Sequence, residues 1–130
     1  MIKATKNQLA IIKNGYQTNA HRVLFVCSVG LLRSPTAANV YHQLTGAKNR
    51  ACGVDKEYAL IPISEALIRW ADTIVYMEDS HRNKLGDDER DLIESLGIVE
   101  EVLMIPDEYD WNSPELIEEL KHSFRSFRLI

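Results

Sequence analysis

The stretch "VLFVCSVGLLRSPTAANVY", residues 23–41, decides the fold of this chain. Its first four residues, Val-Leu-Phe-Val, form a continuous apolar run, which is typical of a parallel strand buried on both faces. The run ends at Cys27. Ser34-Pro35 then opens a stripe of apolar residues at helical spacing, because serine is a favoured cap and proline fits the first helical turn. The stretch predicts a strand, a loop and a helix, with a thiol where the strand ends.

The rest of the chain repeats this alternation of strand and helix. Further strands are predicted around Arg50–Val54, Thr73–Met77 and Val102–Ile105, and helices follow them, the last one opened by Ser113-Pro114. Strands that alternate with helices indicate right-handed crossovers. We therefore expect an α/β, three-layer fold with a four-stranded parallel sheet flanked by helices, formed by residues 22–130. Residues 1–21 are interpreted as an N-terminal extension.

Composition narrows the class of protein. The chain has 130 residues and a net charge of −4, with no cluster of basic residues, so we expect no nucleic-acid partner. No segment approaches the roughly 20 apolar residues that span a bilayer, and no signal peptide is apparent, so we expect no membrane partner. Two cysteines do not make a disulfide framework. Free thiols suit a reducing compartment, which predicts a cytoplasmic protein, either a monomer or a weak dimer.

The loop between the first strand and the first helix predicts an anion site. Backbone N–H groups in a tight loop, together with the unpaired amides of a helix start, attract a phosphate-like anion. Arg33 adds a planar fork that can hold two of its oxygens, and Gly30 can adopt the positive φ that turns the amides inward. The candidate phosphate-binding residues are Ser28, Val29, Gly30, Leu31, Leu32, Arg33 and Ser34. We expect inorganic phosphate or sulfate to bind here.

The positive charge of these amides and of Arg33 also acts on Cys27, the candidate nucleophile. Helix N-termini and neighbouring cations favour the thiolate over the thiol, and the thiolate is the nucleophilic form. We expect Cys27 to be ionised at neutral pH, with the Ser34 hydroxyl donating a hydrogen bond to its sulfur. The alternative is that Cys27 is a small buried core residue and Arg33 a solvated surface side chain.

A candidate general acid follows the last predicted strand, in "IPDEYDW", residues 105–111. Asp107 comes first after the strand, so we expect it nearer the Cys27 loop (residues 27–34) than Asp110. As an acid it would protonate a departing phenolate or alkoxide, and as a base it would then activate water. Tyr109 and Trp111 could wall a flat phenyl group. The alternative is a solvated acidic turn that caps the last helix.

At these residues the chain resembles the low-molecular-weight protein tyrosine phosphatases, and most closely their short bacterial and phage relatives. The matching motifs are strand, Cys-Ser, Arg-Ser-Pro-Thr-Ala at the front and Ile-Pro-Asp-x-Tyr-Asp at the back. The resemblance implies hydrolysis of phosphotyrosine proteins or small aryl phosphates through a phosphocysteine. It implies that Cys27 is the nucleophile, Arg33 the phosphate clamp and Asp107 the general acid. Ser34 would be the partner of the thiolate, and Tyr109 would line the substrate cleft.

Other functions remain open from the sequence. One is arsenate reduction on the same fold, which needs two further cysteines, whereas the chain offers only Cys52. Another is a catalytically weak module that binds phosphotyrosine or another anion. Cys52 could also form a reversible disulfide with Cys27, although a buried inert thiol is the simpler interpretation. The four histidines lack metal-ligand spacing, so no metal or cofactor is expected.

Overall fold

The computed structural model describes residues 21–30 and 33–129, and within them it shows a parallel sheet between two layers of helices. The strands are β1 (Arg22–Cys27), β2 (Lys48–Gly53), β3 (Thr73–Tyr76) and β4 (Val99–Val102). The helices are α1 (Arg33–Thr45), α2 (Glu65–Trp70), α3 (Asp79–Asn83), α4 (Asp87–Leu96) and α5 (Pro114–Ser126). All strand pairs are parallel, in the order β2-β1-β3-β4. The predicted three-layer fold is confirmed. Apart from His21, the predicted N-terminal extension lies outside the described residues.

Strand β1 lies inside the sheet and is buried on both faces. Phe25 points to one face, where it packs with Tyr41 of α1 and Phe124 of α5, with ring centroids 5.3–5.9 Å apart. Leu24 and Val26 point to the other face and belong to a second apolar cluster, which α2 and α4 cover. Burial on both faces accounts for the continuous apolar run of the sequence. Because helices pack against both faces of β1, the end of β1 and hence Cys27 are held in a fixed position.

The last strand differs from its prediction. The sequence predicts Val102–Ile105, whereas β4 spans Val99–Val102, three residues earlier. Backbone hydrogen bonds to β3 and its extension continue through Leu103 and Ile105, both of which are buried. Between them, however, Met104 has a φ of 62°, which breaks the regular strand. Two of the four predicted residues, Leu103 and Ile105, are buried, whereas Met104 is exposed and the predicted strand boundaries are wrong.

The opening of the last helix agrees with its prediction. The Ser113 side chain accepts a hydrogen bond of 3.2 Å from the backbone N–H of Leu116, and Pro114 is the first helical residue. This cap fixes where the β4–α5 loop ends, and the loop carries Asp107. Within the described ranges, none of the helices combines the length and apolar character that crossing a membrane requires.

Candidate active site

The site forms where β1 ends. The chain leaves β1 toward β2 on one side and later returns to β3 on the other, so the strand order reverses at β1. In open parallel sheets this reversal leaves a crevice at the carboxyl ends of the strands, where ligands bind. Cys27 is the last residue of β1, and its side chain is 3% exposed. The thiol therefore lies at the floor of the crevice that the topology creates.

Two hydrogen-bond donors face the sulfur of Cys27. The backbone N–H of Gly30 donates to Sγ at 3.1 Å, and the hydroxyl oxygen of Ser34 lies 3.1 Å from Sγ. The same hydroxyl is also 3.3 Å from the carbonyl oxygen of Cys52, so its single proton has two possible acceptors. A thiolate is the stronger acceptor of the two, because hydrogen bonds to charged groups are the stronger ones. This arrangement suits a sulfur that carries negative charge.

The first three residues of the Cys27 loop turn their carbonyl groups toward the loop that follows β2. The carbonyls of Cys27, Ser28 and Val29 accept hydrogen bonds of 2.9, 2.8 and 3.1 Å from backbone N–H groups of the β2–α2 loop, residues 54–64. In a planar trans peptide the N–H points opposite to the preceding carbonyl. The N–H groups of residues 28–30 therefore point away from the β2–α2 loop. The N–H of Gly30 meets Sγ, so this part of the loop directs donors toward the thiol.

Two glycines allow the loop to lie this close to β2. Gly30 has a φ of +74°, which confirms the left-handed backbone predicted for it. A Cβ on Gly53 would lie 2.5 Å from the carbonyl oxygen of Ser28 and 2.6 Å from the carbonyl carbon of Val29. Such distances leave no room for a side chain. The sequence does not indicate this role of Gly53, because the contact joins residues far apart in the chain.

Arg33 is buried, with 3% exposure, instead of lying on the surface. Its Nη1 is paired with the Glu78 carboxylate and donates to the carbonyl of Ile105 at 2.8 Å. Its Nη2 lies 3.3 Å from Nε2 of His81, and its Nε lies 3.8 Å from Oδ1 of Asp107. The alternative interpretation of Arg33 as a solvated side chain is therefore wrong.

Sequence reasoning missed Glu78 and His81, which follow β3. Both lie at the start of α3, where the backbone N–H of Glu78 donates to Nδ1 of His81 at 3.0 Å. His81 is 1% exposed, and burial, followed by the nearby Arg33 charge, lowers its pKa to about 4. His81 is therefore neutral at neutral pH. The available signal was a Glu-x-x-His segment directly after a buried strand, at the same edge of the sheet as Cys27.

The β4–α5 loop places the candidate acid beside Arg33. Asp107 is 63% exposed and lies within ion-pair distance of the Arg33 guanidinium, as expected of a group near the Cys27 loop. Asp110 lies nearer α5, where its carbonyl accepts a hydrogen bond from Ser113. Tyr109 is half-buried and packs against the core cluster that contains Cys27. Trp111 is 57% exposed.

Ser34 does not cap α1. The helix already begins at Arg33, so Ser34 lies inside the first turn, and its hydroxyl faces Cys27 and the carbonyl of Cys52. The predicted cap is wrong, whereas the predicted proximity of Ser34 to the thiol is confirmed. Two members of the predicted phosphate-binding set, Leu31 and Leu32, lie outside the described residues.

Cys52 lies beside the site but points away from it. It pairs with Val26 across the sheet, and its side chain belongs to the apolar cluster on the face opposite to that of Cys27. Burial raises the pKa of its thiol. A disulfide needs two side chains that point toward each other. The proposed link between Cys27 and Cys52 is therefore contradicted, and the prediction that Cys52 is buried is confirmed.

Comparison with protein-family models and with curated proteins found no match. Solved structures do match, at low identity. The tyrosine phosphatase SP-PTP of Streptococcus pyogenes, a low-molecular-weight protein tyrosine phosphatase, is 16% identical with a TM-score of 0.64, over 85% of this chain and 93% of its own. The tyrosine phosphatase Wzb of Escherichia coli K30, solved in complex with phosphate, is 19% identical with a TM-score of 0.60, over 82% and 94%.

The thioredoxin-dependent arsenate reductase of Corynebacterium glutamicum also matches, at 17% identity and a TM-score of 0.56. The match covers 93% of this chain and 66% of that one. The chain thus has the fold of the low-molecular-weight protein tyrosine phosphatases, and this fold also carries an arsenate reductase. The resemblance of the sequence motifs and the fold of the structure agree.

Proposed function

We propose that the protein is a phosphoric monoester hydrolase of the protein tyrosine phosphatase type, which acts on phosphotyrosine or aryl phosphates through a phosphocysteine. The observation that carries this proposal is the surroundings of the Cys27 sulfur, to which the Gly30 amide donates a hydrogen bond and beside which the Ser34 hydroxyl lies at 3.1 Å. Charge on sulfur is what a nucleophilic thiol needs and what a structural thiol avoids. The fold supports the proposal, since tyrosine phosphatases share it.

In the first step the Cys27 thiolate attacks phosphorus, and a P–S bond forms as the P–O bond to the leaving group breaks. Asp107 gives its proton to the departing oxygen, which leaves as the phenol or alcohol. Backbone N–H groups of the Cys27 loop and Arg33 hold the non-bridging oxygens, whose charge must be stabilised as the phosphoryl group transfers. The distance of 3.8 Å between Nε of Arg33 and Oδ1 of Asp107 supports this role for Asp107.

In the second step water attacks the phosphocysteine. Asp107, now a carboxylate, accepts a proton from this water, and the P–S bond breaks to release inorganic phosphate and restore the thiolate. The Ser34 hydroxyl assists both steps, since a hydrogen bond to sulfur stabilises the thiolate as nucleophile and as leaving group. The free thiol that this cycle requires supports a reducing compartment such as the cytoplasm.

Arsenate reduction is the weaker candidate on this fold. It would need a cysteine close enough to Cys27 to form a disulfide with it, and Cys52 faces the other core cluster. A module that only binds anions would need neither an amide donor on a sulfur nor an exposed carboxylate beside the arginine. Both features support catalysis over binding alone.

The test is turnover of p-nitrophenyl phosphate with trapping of the intermediate. We expect the wild-type protein to release p-nitrophenol and, after an acid quench, to carry one phosphoryl group on Cys27, located by mass spectrometry. Cys27→Ser is the control and should give no release above background. Equal, negligible rates for both proteins would refute the hydrolase and favour an anion-binding module. Thiol-dependent turnover of arsenate without phosphatase activity would favour the reductase.

A further inference from the structure

On the basis of the proposed function, we propose that Glu78 is a positioning residue for Arg33. It holds one edge of the guanidinium and so presents the opposite edge to the phosphate of the substrate. Glu78 lies 45 residues beyond Arg33 in the chain, at the carboxyl end of β3. It would act through Arg33 without touching the substrate.

The hydrogen bonds of the guanidinium define the two edges. A guanidinium has five N–H donors in a fixed plane, two on each Nη and one on Nε. Nη1 contacts the Glu78 carboxylate and the carbonyl of Ile105, so both of its donors have acceptors. The other three donors are on Nε and Nη2, and Nη2 also lies 3.3 Å from Nε2 of His81. His81 can take at most one of them, so one donor on Nη2 and the donor on Nε remain, and this parallel pair can hold two phosphate oxygens. Asp107 lies on this side, near Nε.

Glu78 is itself held in place by His81. The backbone N–H of Glu78 donates to Nδ1 of the imidazole at 3.0 Å, and the Glu78 carbonyl accepts from the backbone N–H of His81 at 3.1 Å. His81 is 1% exposed, so the core fixes its ring. The core therefore holds the ring of His81, the ring holds the backbone of Glu78, and the carboxylate of Glu78 holds the guanidinium of Arg33.

Glu78 could act on Arg33 by orienting its guanidinium or by neutralising its charge, and these two roles predict different results when Glu78 is replaced. A purely electrostatic role would make removal of Glu78 strengthen phosphate binding, because Arg33 would lose its neutralising partner. A positioning role predicts weaker binding and slower turnover, because a misplacement of about 1 Å in a reacting group can cost about 10²-fold in rate. The Glu78 side chain is 36% exposed, so its truncation leaves space that water can fill.

Glu100 offers a matched control. Its carboxylate holds Arg82 of α3 by contacts of 3.2 and 3.3 Å, the same chemistry on the same helix that Glu78 precedes. Glu100 lies on β4 and also accepts a hydrogen bond from the hydroxyl of Tyr76, which is buried in the other core cluster. Glu100→Ala thus removes the carboxylate partner of an arginine on α3 and leaves the Arg33 contacts intact.

The experiment measures kcat and KM for p-nitrophenyl phosphate, competitive inhibition by inorganic phosphate, and thermal unfolding in each variant. For Glu78→Ala we expect kcat to fall by about 10²-fold and phosphate to inhibit more weakly. Glu78→Gln should recover part of both losses, because its amide oxygen still accepts from Nη1. Glu100→Ala should keep wild-type kinetics even if its unfolding temperature falls.

Two results would overturn the proposal. One is Glu78→Ala with wild-type kcat and phosphate inhibition. The other is Glu78→Ala that binds phosphate more tightly, which would show an electrostatic role only. If Glu78→Ala does not fold, Glu78→Gln and Glu78→Asp decide, and wild-type kinetics in both would count against positioning. A wild-type protein without turnover would instead refute the proposed function, and the role of Glu78 with it.

Discussion

The two cysteines of this chain lie on neighbouring strands, yet their surroundings are opposite. Cys27 and Cys52 are both almost fully buried, with 3% and 0% exposure. The sulfur of Cys27 receives a backbone N–H and faces a hydroxyl, whereas the Cys52 side chain lies among apolar residues of the other face. Burial raises the pKa of the Cys52 thiol. Under the proposed function, this difference in hydrogen-bond partners is what separates a nucleophilic thiol from a structural one, because neighbouring dipoles decide whether a buried sulfur can carry charge.

Exchanging each sulfur for oxygen is the strongest way to break this comparison. Cys27→Ser should abolish turnover, because a serine hydroxyl is a far weaker nucleophile than a thiolate, while phosphate should still bind. Cys52→Ser should keep most of its turnover and lose stability, since it places a hydroxyl in an apolar cluster. Steady-state rates, phosphate binding and thermal unfolding separate these effects. Loss of turnover in Cys52→Ser with unchanged stability would contradict the contrast between the two thiols.

The candidate acid gives the next largest effect. Asp107→Asn should lower kcat with aryl phosphates by about 10²–10⁴-fold, the range expected for a lost general acid. Asp110→Asn is the matched control three residues along the same loop and should change kcat little. Rates with leaving groups of increasing acidity provide the check, because a good leaving group needs no proton. If Asp110→Asn is the more damaging change, the assignment of the acid is wrong.

Ser34→Ala would make the surroundings of Cys27 more like those of Cys52. It removes one of the two donors at the sulfur and leaves the Gly30 amide. A hydrogen bond to a charged group contributes about 1.5–3 kcal/mol, so we expect turnover to fall by about 10- to 100-fold. Single-turnover kinetics should show slower formation and slower hydrolysis of the phosphocysteine. Wild-type rates in Ser34→Ala would indicate that the hydroxyl serves the Cys52 carbonyl instead.

The surroundings of Cys27 also include His81, beside Arg33, and its lowered pKa predicts that the stability of the protein depends on pH. Its folded-state pKa of about 4 lies below the ordinary value of 6.5, so the unfolded chain binds the proton more readily. The stability that neutral His81 provides is therefore present above about pH 6.5 and is lost as the pH falls toward about 4, by up to about 3 kcal/mol. Burial is the largest cause of the lowered pKa; the charges of Arg33 and Lys84 lower it further, and those of Glu78 and Asp107 oppose the shift.

Urea unfolding between about pH 4 and 7 measures this effect. His81→Asn, whose amide oxygen can still accept from the Glu78 backbone, should flatten the dependence, and the exposed His122→Asn should not. An unchanged pH dependence in His81→Asn would assign the effect to the carboxylates around it.

The sequence predicts the parts of the site that local patterns encode. Residues 23–41 contain a strand, a loop and a helix in succession, which locates Cys27 at the end of the strand. Asp107 follows another predicted strand, so Cys27 and Asp107 could be placed at the same edge of the sheet. The position of Glu78 and His81 after a buried strand was visible in the sequence, but their contacts with Arg33, and the contact of Gly53 with the Cys27 loop, were not, since they join residues far apart in the chain. The end of β4 was missed for a local reason, because Met104 adopts a left-handed conformation that its side chain does not favour.

The most direct test of the proposed function is the rate at which each thiol reacts with iodoacetamide at neutral pH, with and without inorganic phosphate, followed site by site with mass spectrometry. We expect Cys27 to react readily, inorganic phosphate to protect it, and Cys52 to stay unmodified in the folded protein. Alkylation of Cys27 that is no faster than that of Cys52, and that phosphate does not slow, would contradict the proposal.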